Sequence, residues 1–255
     1  MDLYFAVIGN DKRMDYVAQQ LYSLGCDVGR DLNKLQTDTV LILPPPVTLE
    51  SFNIIEPSLE KISCIYAGNV PEEFEKLLPA HVPLYDYLKW DTVIAENAML
   101  TAYGIIREAY HNKAWLKESN VLVTGFGYCG KALAYCLKEQ GARVTVAVRN
   151  VMLKNEIEDL GYDYIDIKAM SSIDLDIFPY IFNTVPALVI DAAVIDRLNP
   201  NAYIYDIASK PGGTNFLYCH EKNIGAVLSL GIPGKMYPEE AGILIANAIY
   251  NHISK

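Results

Sequence analysis

A glycine-rich turn spaced G-x-G-x-x-G, running from Gly125 to Gly130, is the feature whose residue types and spacing point most directly to chemistry. An apolar run typical of a buried strand, 120–124, leads into the turn, and a helical pattern follows at 131–140. This order of strand, turn and helix brings a pyrophosphate close to bare backbone and to the positive end of a helix. The residues predicted to contact a dinucleotide here are Gly125, Phe126, Gly127, Tyr128, Cys129 and Gly130.

The three glycines are expected to have different roles. Gly125 permits the tight turn, Gly127 leaves room for the phosphates, and Gly130 lets the helix pack against its strand. The next strand pattern, 143–148, arrives at the spacing of a βαβ unit. The context therefore favours a nucleotide site over the alternative, a tight turn without ligand.

The residues after that second strand bear on the choice of cofactor. NAD sites usually place an Asp or Glu there to accept hydrogen bonds from the ribose hydroxyls. This chain has Arg149 and Asn150 instead, and an arginine can pair with a 2′-phosphate as a planar, charged fork. We therefore predict NADP as the cofactor, with NAD as the alternative if Arg149 is only a solvated surface charge.

Composition and charge limit the classes of partner. The chain has 255 residues, of which 51% are hydrophobic, so two α/β domains with sizeable cores are expected. A formal net charge of −10 argues against nucleic acid binding, because phosphate contacts need clustered Lys and Arg. Any anionic ligand must therefore be held by local cations.

The sequence favours a cytoplasmic location without membrane contact. The first eight residues lack the basic region and cleavage site of a secretory signal. No apolar run approaches the roughly 18 to 20 residues of a membrane span. The five cysteines form no C-x-x-C pair, and their odd number does not indicate a disulfide framework, which fits a reducing compartment.

Alternating strand and helix patterns predict an α/β fold with two domains. The C-terminal domain is expected to be a Rossmann doubly wound parallel sheet, and the smaller N-terminal one a flavodoxin-like α/β domain, joined by a long helix. The predicted segments are an N-terminal substrate or partner domain at 1–90, a linking helix at 91–115, an NAD(P)-binding domain at 116–236, and a C-terminal helix packing back on the first domain at 237–255. The predicted strands are 4–8, 40–43, 64–67 and 84–85, then 121–124, 144–148, 164–165, 180–183, 204–207 and 226–230.

Three segments that directly follow predicted strands are expected to line a cleft between the domains. Small residues there let a flat ring approach the backbone, while Asn183 and Thr184 can hydrogen-bond a ribose or carboxamide. Lys210 and Lys235 can meet a carboxylate. The cofactor contacts predicted in these segments are Asn183, Thr184, Val185, Pro186, Ala208, Ser209 and Gly231.

These segments together resemble one family, the A subunits of dipicolinate synthase, the enzyme of spore-forming bacteria that makes dipicolinic acid. The matching runs are 121–127, 182–187, 206–214 and 231–235, with Ala241 and Gly242 beyond. In the first half, 9–13 is similar to the family's Gly-Asp-x-Arg turn, and Asn97 with Thr101 and Ala102 matches its connecting helix. The first domain is shorter than is usual in the family, so the resemblance is thinner there.

The resemblance implies an NADP-dependent dehydrogenase that oxidises dihydrodipicolinate, or a related lysine-pathway intermediate, during sporulation in the mother cell. The residues expected to bind this small dicarboxylate are Lys210, Lys235, Arg13, Asn97 and Thr101. Lys210 is the predicted general base, oriented by Asp206, if burial or a neighbouring cation lowers its pKa. Water is the alternative proton acceptor, and a helix-surface charge is the alternative role for Arg13.

The family pairs its A subunit with a flavoprotein-like B subunit, so the resemblance also implies a partner chain; a homodimer is left open. Two other functions stay open as well. A D-2-hydroxyacid dehydrogenase shares the two-domain plan, but it uses a catalytic His, and the corresponding stretch 231–242 has none. The chain could instead be a nucleotide-binding scaffold without activity of its own.

Overall fold

The computed structural model of the chain describes residues 3–254. Its described part divides into two compact units, each built on a parallel sheet. Unit 1 comprises the residues up to 97 together with those from 233 onward, and unit 2 comprises 98–232. The predicted α/β class with two parallel sheets is confirmed.

The sheet of unit 1 has five strands. They are β1 (Tyr4–Val7), β2 (Asp27–Gly29), β3 (Thr39–Ile42), β4 (Ile62–Ala67) and β5 (Leu84–Asp86). Their order, β2-β1-β3-β4-β5, is the flavodoxin-like one that the sequence predicts. The prediction missed β2, because a three-residue edge strand reading Asp-Val-Gly has no apolar run to announce it.

The sheet of unit 2 has six strands. They are β6 (Asn120–Thr124), β7 (Arg143–Val148), β8 (Asp163–Asp166), β9 (Tyr180–Asn183), β10 (Tyr203–Asp206) and β11 (Gly225–Leu228). The order β11-β10-β9-β6-β7-β8 is that of a complete dinucleotide-binding sheet, with every neighbouring pair parallel. All six strands were predicted, with ends displaced by at most two residues.

Helices connect these strands, and short 3₁₀ turns lie between some of them. The helices are α1 (Lys12–Ser23), α2 (Leu49–Ile55), α3 (Glu72–Leu77), α4 (Asp91–His111), α5 (Tyr128–Glu139), α6 (Lys154–Asp159), α7 (Ala192–Ile195), α8 (Phe216–Glu221), α9 (Ile232–Met236) and α10 (Pro238–Ile253). The 3₁₀ turns are Leu32–Lys34, Glu56–Lys61, Tyr87–Lys89, Val151–Leu153 and Ile167–Ala169. None of the helices within residues 3–254 is long and apolar enough to cross a membrane.

The closing helix α10 packs on α1 within unit 1. The contact is close at Gly242, where a Cβ atom would lie 2.6 Å from the Arg13 carbonyl oxygen and 2.6 Å from the Tyr16 Cβ. Ile245 and Ile249 of α10 join the apolar cluster that covers one face of the sheet. The C-terminal segment is therefore part of the core of unit 1, and its packing holds α1 in place.

Candidate functional site

The glycine turn of unit 2 is built around two glycines that cannot carry a side chain. Gly125 has a φ of +94°, and a Cβ there would collide with Thr184 Oγ1. A Cβ at Gly130 would collide with the carbonyl oxygen of Gly125. These contacts correspond to the tight turn and the close helix packing expected of them.

Gly127 is different, because a Cβ there would meet no atom of residues 3–254 within 4 Å, apart from those of its own chain neighbours. The space in front of this residue is open, and α5 begins directly after it with no side chain capping the helix. The first backbone N–H groups of a helix need acceptors, and an anion can supply them. The arrangement suits a phosphate group held against bare backbone.

The side chains of the turn face different surroundings. Phe126 is buried and makes an edge-to-face contact with Tyr162, at 6.2 Å between ring centroids. Burial raises the pKa of the Cys129 thiol, which keeps it protonated near neutral pH. Tyr128 is half exposed. Phe126 and Cys129 therefore offer a ligand their backbone rather than a reactive side chain.

A row of three fully buried polar residues crosses the carboxyl ends of the central strands. Thr124, Asn183 and Asp206 are neighbours in register on β6, β9 and β10. The Thr124 hydroxyl donates to Asn183 Oδ1 at 2.5 Å. Buried polar groups require partners, and this row satisfies them within the protein.

Asn183 shapes the loop after β9. Its Oδ1 accepts a bond from the Val185 N–H at 3.0 Å, and its Nδ2 donates to the Val185 carbonyl oxygen at 3.1 Å. The Thr184 hydroxyl donates to the Thr124 carbonyl oxygen at 2.8 Å. Both side chains that the sequence offered as direct ligand contacts are thus engaged in holding the loop in place.

Asp206 does the same for the loop after β10. Its carboxylate accepts from the Ala208 N–H at 3.0 Å, and from the Gly213 N–H and the Thr214 hydroxyl, each at 2.8 Å. Lys210 lies at the exposed tip of this loop and is not among the partners of Asp206 in the described structure. No direct contact therefore supports the predicted orientation of Lys210 by Asp206. The Asp206 carboxylate accepts its hydrogen bonds from Ala208, Gly213 and Thr214 of its own loop.

The two loops are joined at Gly213. A Cβ at this position would collide with the Asn183 side-chain nitrogen and with the carbonyl oxygens of Val185 and Ala187. The Gly213 carbonyl oxygen accepts from the N–H groups of Val189 and Ile190, at 3.0 and 2.9 Å. The loops after β9 and β10 therefore form one pre-shaped surface.

The remaining predicted contacts of unit 2 differ in exposure. Arg149 and Asn150 are exposed after β7, and Asn150 Oδ1 accepts from the Met152 N–H at 3.1 Å, which caps the turn Val151–Leu153. Gly231 is exposed with a φ of +66°. Along the joined loops, Pro186 and Ser209 are exposed, Val185 is partly buried and Ala208 is buried.

In unit 1, Arg13 bridges the loops that follow β1 and β3. Its Nε and Nη2 donate to the two carboxylate oxygens of Asp11 at 2.9 and 2.7 Å, and Nη2 also donates to the Pro45 carbonyl oxygen at 2.9 Å. The side chain is only 15% exposed. A Cβ at Gly234 would lie 2.8 Å from its Cζ, so the glycine makes room for the guanidinium. The alternative of a solvated surface charge does not fit a residue held in this way.

The pKa of Asp11 reports on this pair. Burial raises it, but the hydrogen bonds and positive charge of Arg13 outweigh burial and hold the pKa below its ordinary value. The carboxylate thus stays ionised and fixes the guanidinium. Within the described residues, the hydrogen bonds of Arg13 use Nε and Nη2, which leaves Nη1 to meet an anionic group.

Three further predicted substrate residues lie elsewhere. Lys235 is exposed on α9, immediately after Gly234 and thus next in sequence to the residue that touches Arg13. Asn97 and Thr101 lie one turn apart on α4, and both are partly buried.

Several residues of these sites were not predicted individually, although Asp11, Thr214 and Gly234 lie in runs that carry the family resemblance. They are Thr124 and Thr214 in the buried network of unit 2, and Asp11, Pro45 and Gly234 around Arg13 in unit 1. A polar residue closing an apolar strand, as Thr124 does, is the one signal that was available. The contacts of Gly234 depend on tertiary packing and leave no local trace.

The two doubly wound sheets and the glycine turn define the class, a protein of the two-unit dehydrogenase fold. The apo-structure of D-lactate dehydrogenase from Escherichia coli matches all of this chain and 96% of its own, with a TM-score of 0.64 and 14% identity. The crystal structure of the dipicolinate synthase A subunit from Bacillus halodurans matches 100% of this chain and 99% of its own, with a TM-score of 0.86 and 23% identity.

Sequence comparison leads to the same kind of relative. The chain is 30% identical over 192 residues to the dipicolinate synthase A subunit of Bacillus subtilis, a match that covers 74% of this chain. The matched chain spans 61% of the length of that relative. No family model matches. The resemblance read from the sequence is confirmed: the chain is a homologue of the dipicolinate synthase A subunits.

Proposed function

We propose that this chain is a dehydrogenase subunit of the dipicolinate synthase type, which oxidises dihydrodipicolinate or a related lysine-pathway dicarboxylate to dipicolinate and passes a hydride to NADP. The observation that carries the proposal is the open space at Gly127, in front of the uncapped start of α5. A turn that served only packing would have its side-chain space filled, as it is at Gly125 and Gly130.

The residues of unit 2 fit a dinucleotide. The turn would hold the pyrophosphate with backbone N–H groups, and Arg149 would pair with the 2′-phosphate. When bound, NADP supplies the hydride acceptor. Asn183 and Asp206 would act by holding the loops whose backbone lines the ring site. The other residues assigned to the cofactor are Phe126, Tyr128, Cys129, Asn150, Thr184, Val185, Pro186, Ala208, Ser209 and Gly231.

The substrate side of the proposal rests on fixed and flexible cations. Arg13 Nη1 would donate to one carboxylate of the substrate, since Asp11 and Pro45 hold the rest of the guanidinium. Lys235, exposed on α9 of the same unit, would bind the second carboxylate, and Lys210, exposed in unit 2, is proposed as a further substrate contact. Asn97 and Thr101 would contribute hydrogen bonds from α4.

The reaction needs little catalytic assistance from these residues. The dihydro ring loses one hydride and one proton, and aromatisation drives the loss, so orientation is the main task. Lys210 is exposed, and burial therefore does not provide the desolvation that a lysine base needs. We assign Lys210 to substrate contact and the proton to water.

The homology implies a partner subunit, and we propose a flavoprotein-like B subunit for it, acting in the mother-cell cytoplasm of a sporulating bacterium. The purified chain, supplied with dihydrodipicolinate and NADP, should form dipicolinate and NADPH, with D-lactate as a substrate control. Activity without the partner would reject the scaffold alternative. Turnover of D-lactate in its place would favour a hydroxyacid dehydrogenase.

Cofactor affinity is the first test. Calorimetric titration of NADP and NAD should show that Arg149→Ala loses about tenfold or more in NADP affinity while NAD binding is unchanged. Arg143→Ala is the matched control, because Arg143 is exposed at the opposite end of the same strand. If neither nucleotide bound to the wild-type chain, the proposed dehydrogenase activity of this chain would be rejected.

A further inference from the structure

Lys131, on the first turns of α5, folds back over the glycine turn. Its Nζ lies 5.2 Å from the centroid of the Phe126 ring, and Phe126 stands between Gly125 and Gly127. The same ammonium forms a 2.6 Å ion pair with Glu156 of α6. The side chain is thus anchored at the turn on one side and at α6 on the other.

Glu156, the partner of Lys131, lies in the first turn of α6, the helix that follows the connection carrying Arg149. β7 ends at Val148, and Arg149 and Asn150 lead through the turn Val151–Leu153 into α6. Lys131 therefore contacts the glycine turn, which the proposed function assigns to the nucleotide, and the helix that directly follows the connection carrying Arg149.

A 2′-phosphate needs more charge than one arginine supplies. A phosphate monoester carries about −1.5 to −2 charges near pH 7, whereas Arg149 contributes one positive charge. The chain has a net charge of −10, so compensation must come from a cation close to the site. Lys131 is such a cation, and its flexible stem lets the ammonium move.

We infer that Lys131 is a second residue that recognises the 2′-phosphate of NADP, and that Glu156 holds its ammonium when the phosphate is absent. The inference rests on the proposed function, because it assumes a nucleotide at the turn. The side chains of Lys131 and Glu156 are 48% and 44% exposed. An ion pair this exposed contributes little to stability, whereas a phosphate dianion forms stronger charge-assisted bonds. Transfer of the Lys131 ammonium from Glu156 to the 2′-phosphate is therefore favourable.

The test is titration of NADP and NAD, separately, into the wild-type chain and three variants. Lys131→Met should lower NADP affinity by about tenfold and leave NAD affinity unchanged. Glu156→Gln should raise NADP affinity, because the ammonium no longer has a competing carboxylate. Lys138→Met is the matched control: Lys138 also lies on α5, 5.2 Å from the centroid of the Tyr162 ring, but donates to the Leu160 carbonyl oxygen at 2.7 Å. It should change neither affinity.

The outcomes separate this inference from the proposed function. If the wild-type chain binds NADP but Lys131→Met binds it equally well, the inference fails and the proposed function stands. An equal loss of NADP and NAD affinity also overturns the inference, because it would assign Lys131 to the pyrophosphate or to folding. If the wild-type chain binds neither nucleotide, both fail. Thermal unfolding of each nucleotide-free variant shows whether the fold is intact.

Discussion

In each of the two parallel sheets there is a switch point, where successive connections on the two sides run toward opposite edges of the sheet. Different groups occupy the switch points of unit 1 and unit 2. In unit 2 this point lies between β6 and β9, where the glycine turn meets Thr184 and leaves the space at Gly127 open. In unit 1 it lies between β1 and β3, and Arg13 spans it from α1 to Pro45. Ligands of open α/β sheets bind at such switch points.

The two units therefore offer an anion different groups at the carboxyl ends of their strands. Unit 2 offers backbone N–H groups and empty space, with its polar side chains buried and turned to their own loops. Unit 1 offers a permanently charged guanidinium that a carboxylate holds in place. A bulky diphosphate suits the first arrangement, and a small planar carboxylate suits the second.

The largest expected effect is in the buried network of unit 2. Asp206→Ala leaves the N–H groups of Ala208 and Gly213 and the Thr214 hydroxyl without their acceptor. The free energy of unfolding should fall by at least about 3 kcal/mol, measured by chemical denaturation. Asp196→Ala is the control, since Asp196 pairs with Lys222 on the surface. Equal, small effects of both substitutions would show that the loop does not depend on the buried carboxylate.

The glycine turn separates packing from binding. Gly130→Ala should cost about 1 to 3 kcal/mol of stability, because the added methyl group meets the Gly125 backbone, which cannot move aside cheaply. Gly127→Ala should leave the unfolding temperature unchanged and lower nucleotide affinity, because its methyl group would occupy the open space. Thermal unfolding and calorimetry on the same two variants check this. A loss of stability in Gly127→Ala would contradict the open site.

The sequence predicted unit 2 better than unit 1 for physical reasons. Each strand of unit 2 is an apolar run bounded by turn residues, and the glycine spacing fixes the connection from β6 to α5. Unit 1 has short edge strands, and β2 falls below the length at which a pattern can be recognised.

The site residues show a different limit. Asn183 and Asp206 were predicted as a cofactor contact and a catalytic residue because they lie at strand ends, but a sequence does not reveal whether such a side chain faces a ligand or its own loop. Here register places both in one buried row with Thr124, and their partners lie in the loops that follow. The neighbours of Arg13 come from positions 45 and 234, far apart in the chain, so no local pattern could have joined them.

The Asp11–Arg13 pair predicts a pH dependence confined to unit 1. The pKa of Asp11 is lower in the folded chain than its ordinary value, so its ionised form stabilises the fold. That contribution is complete above the unfolded-state pKa and is lost as the pH falls through the folded-state pKa, below about pH 4. Asp11→Asn should therefore show a smaller decline in unfolding temperature over that range.

The matched control for this measurement is Asp15→Asn on α1, because Asp15 also pairs with an arginine, Arg30, but its side chain is 58% exposed. Its decline in unfolding temperature at low pH should follow that of the wild-type chain more closely than Asp11→Asn does. Parallel curves for wild type and Asp11→Asn would show that the pair adds no acid-sensitive stability, and would weaken the case for a guanidinium fixed by a carboxylate.

Gly234→Ala has the smallest expected effect on stability. It is also the most direct test of the difference between the switch points of the two units. Gly234→Ala places a methyl group 2.8 Å from Arg13 Cζ and 2.9 Å from Nε. Because the guanidinium is the flexible end of its side chain, the fold can adapt with little loss of stability, but the bonds to Asp11 and Pro45 must shift. Dicarboxylate affinity should fall while NADP affinity stays unchanged.

In an Arg13→Ala background, Gly234→Ala should have no further effect on dicarboxylate affinity, since the methyl group then has nothing to displace. Affinities for the dicarboxylate and for NADP, measured on the single variants and the double variant, complete the cycle. Additive losses of dicarboxylate affinity would mean that Gly234 acts independently of Arg13. The position of the Arg13 guanidinium would then depend on Asp11 and Pro45 alone.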